Sequence, residues 1–137
     1  MADKNIVYKH LQILEESIDR IRDMDFTFDM VLGDEDIQDL LDRRMQKAIE
    51  SAIDIAANIV AGEKLGQAET AGELFLLLGK KNILTKELAE KLAKAVGFRN
   101  ILVHEYADID YELAYRDLDS NLLDLEFFAK AVKKLIN

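Results

Sequence analysis

Val7, Leu11, Leu14, Ile18 and Ile21 follow one another at intervals of four and three residues, the spacing that gathers apolar side chains on one face of an α-helix. The same rhythm returns in Ile37, Leu41, Met45, Ala48, Ala52, Ile55 and Ile59, and again in Leu118, Leu122, Leu125, Ala129, Val132 and Ile136. No stretch alternates with a period of two, so strands find no support. A chain patterned in this way must bury helical stripes against one another. Helices are expected over about residues 3–23, 34–62, 70–79 (a short one stopped by Gly79), 85–106 and 110 to the C-terminus. Asp34, Thr85 and Asp110 have the side chains of N-caps, residues 25–33 interrupt the pattern, and Gly66 marks a loop. The predicted architecture is all-α, an antiparallel up-and-down bundle of four long helices plus one short helix. Residues 1–137 form a single domain in this reading.

Composition narrows the function classes. The absence of cysteine excludes disulfides and thiolate chemistry. No run approaches the ~18 apolar residues of a membrane span, and the charged N-terminus has no signal-peptide core, so a cytoplasmic protein is expected. A net charge of −9 argues against nonspecific nucleic-acid binding, which rests on neutralising phosphates. The charge is unevenly spread. Residues 80–99 hold six basic side chains against two acids, whereas residues 105–126 hold eight acids against Arg116 alone. A solvated helix face explains the lysines; a basic surface leading toward Arg99 is the functional alternative.

Residues 99–106, Arg-Asn-Ile-Leu-Val-His-Glu-Tyr, stand apart. They hold one of two histidines, one of six arginines and one of four tyrosines in an otherwise apolar run. With about 100° per residue and Leu88 as origin, Leu92, Ala95, Val96, Leu102 and Val103 fall within roughly 80° of it. Arg99 lands near 20°, inside the stripe. A buried guanidinium without a partner is costly, so Arg99 must face a wet cleft or meet an anion. Phe98 and Ile101 lie on the opposite side, which makes this half of the helix apolar almost all round and suggests burial from two directions, by a neighbouring helix or by a second copy of the chain. Asn100 and His104 share a face at i,i+4; Arg99 and His104 are about 140° apart and converge only through the arginine's reach or a loosened helix end.

Such groups suit RNA cleavage. A guanidinium binds phosphate oxygens and stabilises charge growing on them, and an imidazole moves protons near neutral pH. Equally, a helix-end histidine and a salt-bridged arginine would be purely structural. Elsewhere, His10 reads as an exposed histidine and Arg43, Arg44 and Lys47 as partners in i,i+4 ion pairs. Asp108, Asp110 and Glu112 lack the spacing of a metal loop, and no metal or cofactor is expected.

The set Arg99-Asn100-x-x-x-His104-x-Tyr106 resembles the Arg-x4-His-x-Tyr signature of the HEPN superfamily, specifically the HepT toxins of HepT–MntA toxin–antitoxin pairs; length and helix order are similar over nearly the whole chain. The resemblance implies a metal-independent endoribonuclease acting as a homodimer, with Arg99 and His104 catalytic in a composite cleft and Asn100 in support. It also implies an MntA-type nucleotidyltransferase antitoxin that transfers AMP from ATP to Tyr106, placing negative charge beside Arg99. A buried, hydrogen-bonded ring is the plainer account of Tyr106. The competing function is a non-catalytic helical module that docks on a nucleotidyltransferase and helps to bind its nucleotide or substrate.

Overall fold

Asp3 opens the first helix. Its carboxylate accepts hydrogen bonds from the backbone N–H groups of Asn5 and Ile6 at 3.0 and 3.3 Å, satisfying donors that a helix start leaves free. In the computed structural model, which describes residues 2–104 and 109–137 with residue 104 through its backbone alone, seven helices follow among the described residues. They are α1 (Lys4–Arg22), α2 (Phe28–Gly33), α3 (Glu35–Gly62), α4 (Ala71–Lys80), α5 (Lys86–His104), α6 (Tyr111–Tyr115) and α7 (Leu118–Ile136). Asp34 caps α3 through the N–H groups of Asp36 and Ile37, and Thr85 caps α5 through that of Leu88 at 3.1 Å.

The long helix α3 is the spine: α1 lies along it, and α4, α5 and α7 pack on its remaining sides. Leu11, Leu14 and Ile18 of α1 and Leu41, Ile55 and Ile59 of α3 are buried as the periodicity requires. Phe75 of α4 and Phe128 of α7 meet edge to face at 5.5 Å, a favoured aromatic geometry.

Three expectations are corrected. The 25–33 interruption contains the one-and-a-half-turn helix α2, capped by the Thr27 hydroxyl and anchored by buried Val31. Gly79 does not stop α4, which runs on to Lys80; a Cβ at Gly79 would stand 2.6 Å from the Ala89 Cβ, so glycine is there to let α4 and α5 touch. Asp110 is a cap, accepting from the Leu113 N–H at 3.1 Å, but of α6. The backbone breaks again at Asp117 before α7 begins.

Candidate active site at the end of α5

The stripe that begins at Leu88 buries Leu92, Val96 and Leu102, and Arg99 is half-buried among them. Its Nε is shielded from solvent and meets no hydrogen-bond partner among the described residues. A guanidinium N–H in that state retains a strong donor awaiting an acceptor. Asn100 is exposed on the adjoining face. The backbone of His104 closes the last turn of α5; whether its imidazole meets the arginine lies outside the described residues, as do Tyr106 and Asp108.

The stripe does not hold to its end. Val103, placed in it by helical geometry, is 39% exposed, and Ile101 on the other side is 39% exposed as well. The last turns of α5 therefore extend beyond the cover that the described residues supply. Phe98 packs against the core cluster. A groove of about 870 Å³ opens beside it, with Phe98, Ile101, Ile109 and Leu113 as apolar lining and Lys94 and Arg116 among the charged residues.

Behind the site lies Asp42, which sequence reasoning passed over. It is 4% exposed, in the third turn of α3. The Tyr111 hydroxyl donates to Oδ2 at 2.6 Å and the Tyr115 hydroxyl to Oδ1 at 2.5 Å. Burial pushes the Asp42 carboxyl above its ordinary range, the two hydroxyls pull it back, and Asp39 adds a smaller upward push. Burial, then the carboxylate beside it, holds the Tyr115 phenol protonated far above the ordinary tyrosine range. Tyr111 and Tyr115 stack on each other at 6.0 Å, and the Tyr115 ring meets Phe98 edge-on at 5.4 Å. A signal existed: Asp42 shares a helical face with Met45, Ile49, Ala52 and Ala56, all buried, so it was an acid at a core position.

The secondary candidates resolve differently from expectation. His10 is not a free surface histidine, because its Nδ1 lies 3.7 Å from an Asp54 carboxylate oxygen on α3. Arg44 does not take a partner on its own helix; Nη1 donates to the Arg20 carbonyl at 2.9 Å, tying α3 to the end of α1. Arg43 and Lys47 are exposed.

The family model described as Ribonuclease HepT-like matches residues 14–132. A Shewanella oneidensis protein named mRNA nuclease HepT is 29% identical over 129 residues, covering 94% of this chain and 97% of its own. The protein named tRNA nuclease HepT from Aphanizomenon flos-aquae is 34% identical, covering 88% of this chain and 92% of its own. Among solved structures, a tri-AMPylated Shewanella oneidensis HEPN toxin in complex with MNT antitoxin matches with a TM-score of 0.88 at 29% identity, over 98% of this chain and 99% of that one.

Proposed function

The chain belongs to the HepT-like ribonuclease family, and from that premise we propose that it is the RNA-cleaving toxin of a toxin–antitoxin pair, with Arg99 and His104 as its catalytic residues. The observation that carries this reading is the Arg99 Nε, shielded from water and unsatisfied among the described residues. The only buried carboxylate among those residues, Asp42, accepts from two tyrosines. A phosphate oxygen is the acceptor that a guanidinium fork fits best.

The chemistry needs no metal. His104 draws the proton from a ribose 2′-OH as that oxygen attacks the adjacent phosphorus. The P–O5′ bond breaks, and the products are a 2′,3′-cyclic phosphate and a 5′-hydroxyl. Arg99 stabilises the charge that gathers on the non-bridging oxygens. The leaving 5′-oxygen needs a proton, and the imidazole of a second copy supplies it across a two-fold axis. A homodimer also accounts for the uncovered apolar end of α5 at Ile101 and Val103. Asn100 supports the site from the same face as His104.

The relatives' names speak of mRNA in one case and tRNA in the other, so the substrate class assigned to this chain is RNA. By analogy with the complexed toxin, the partner is an MntA-type nucleotidyltransferase. The Tyr106 phenolate attacks the α-phosphorus of ATP, pyrophosphate leaves, and the AMP phosphate stands where an RNA phosphate would bind Arg99. Among the described residues no helix is long and apolar enough to cross a membrane, and we place the protein in the cytoplasm with its RNA.

The test is direct. Purified protein is incubated with an mRNA transcript and with tRNA in excess EDTA. Cleavage is expected with wild type, and Arg99→Ala and His104→Ala are each expected to lose about 100- to 10,000-fold of it while keeping their helical circular dichroism. Wild type inert toward both RNAs, with both variants indistinguishable from it in growth arrest, favours the non-catalytic module instead. Mass spectrometry of Tyr106 after co-expression with the nucleotidyltransferase tests the modification.

A further inference from the structure

We propose that Asp42, Tyr111 and Tyr115 form a positioning clasp that holds the Arg99–His104 segment in its cleaving geometry; the proposal rests on the ribonuclease reading above. Asp42 is the one charged side chain found in the core among the described residues. A carboxylate held only by hydroxyls is a poor source of stability, since apolar residues of similar volume serve as well or better. It is a good source of fixed geometry, because each oxygen takes one hydroxyl, at 2.6 and 2.5 Å.

What the clasp fixes follows from the ring contacts. The Tyr115 ring sits edge-on to Phe98 with planes at 88°, and Phe98 immediately precedes Arg99. A rotation of α5 that redirects the guanidinium must carry Phe98 off that ring. On the other side, Tyr111 is the first residue of α6, so α6 begins at a point fastened to the same carboxylate. None of the three clasp residues needs to touch RNA, so their effect belongs in turnover rather than in substrate binding.

Tyr115→Phe keeps the ring on Phe98 and removes only the hydroxyl; Asp42→Asn removes the charge at nearly constant volume. Steady-state cleavage of a labelled RNA spanning a mapped cut site is measured at a temperature where circular dichroism shows each variant fully folded. Both variants are expected to lower kcat about 10- to 100-fold, the scale of a small misplacement of reacting groups. KM should stay within about twofold of wild type. The double variant should be no worse than the more impaired single one, since both break one device. Ile55→Val, a packing loss elsewhere on α3, should lower the melting temperature and leave kcat alone.

Unchanged kcat in folded Asp42→Asn and Tyr115→Phe overturns the clasp, as does a loss that falls in KM alone. If Asp42→Asn does not fold, Tyr115→Phe and Tyr111→Phe decide the question. If wild type itself cleaves nothing and Arg99→Ala changes nothing, the ribonuclease reading has failed, and the clasp is judged by the Arg99 Nε–Hε resonance in 15N NMR. A shift of that resonance in Tyr115→Phe supports the positioning role, and an unmoved one rejects it.

Discussion

Arg99 and Asp42 are opposite answers to the problem of a charged side chain among apolar ones. The arginine leaves a shielded donor unmet by the described residues, which is what a binding group needs, whereas each oxygen of the aspartate takes an internal donor, which is what a framework group needs. Asp42→Ala strands two phenolic donors, one of them on fully packed Tyr115, and should cost about 2–4 kcal/mol in urea denaturation. The pH dependence has a definite sign. The folded-state pKa of Asp42 is raised above the ordinary 3.8, so between those values the native chain holds a proton that the unfolded chain has released. Stability therefore falls as pH rises through that window. Asp42→Asn cannot titrate and should lose this part of the slope, so its stability relative to wild type improves from the acid to the neutral end of a urea-melt series. Tyr115→Phe deletes a donor that favours the carboxylate and should carry the upper edge of the window to higher pH, readable from the Asp42 carboxyl 13C shift. Arg99 was legible in the sequence because one helical turn count placed it in a stripe. Asp42 was legible only as an acid on an apolar face, since its tyrosines stand 69 and 73 residues away and only the fold brings them together.

The four long helices were readable because 19 to 28 residues give several turns over which a period of 3.6 separates from noise. With six and five residues, α2 and α6 offer too little for periodicity; only their caps, Thr27 and Asp110, carried a local signal. Asp110 was thus right as chemistry and assigned to the wrong helix, because the stacked pair Tyr111 and Tyr115 turns toward Asp42 and ends α6 before α7 can start. Gly79 shows the opposite failure, where a helix-stop residue is used for contact. Helix propensity alone predicts that Gly79→Ala stabilises α4 by about 1 kcal/mol. The Cβ, 2.6 Å from that of Ala89, predicts overpacking that costs about 1–3 kcal/mol. We expect the clash to prevail, with a lower melting temperature for Gly79→Ala. Adding Ala89→Gly, which opens the same space from α5, should recover part of the loss. Two additive losses in that double-mutant cycle would show that the helices do not meet there.

At the level of the whole molecule, the uncovered end of α5 and the division of charge lead to the same arrangement. Ile101 and, on α6, Leu113 at 64% exposure form an apolar margin to the groove beside Phe98, and Val103 is exposed on the other side of α5. Upstream the chain is basic over residues 80–99, and downstream it is acidic over residues 105–126. In the proposed homodimer, a two-fold contact sets the same patch of the two copies together. Where that contact sets the basic stretch of one protomer against the acidic stretch of the other, it offsets the repulsion expected between two chains of net charge −9. Ile101→Asp places a carboxylate in that margin without touching Arg99, Asp42 or the core. It should shift sedimentation from dimer to monomer and, if the cleft is composite, abolish cleavage at protein concentrations where wild type is fully active. Wild-type activity per chain should likewise fall on dilution below the dimer dissociation constant, and fall sooner at high salt as the charge contribution is screened. A monomeric Ile101→Asp that cleaves at the wild-type rate per chain would exclude the two-copy cleft and require His104 to act as both base and acid within one protomer.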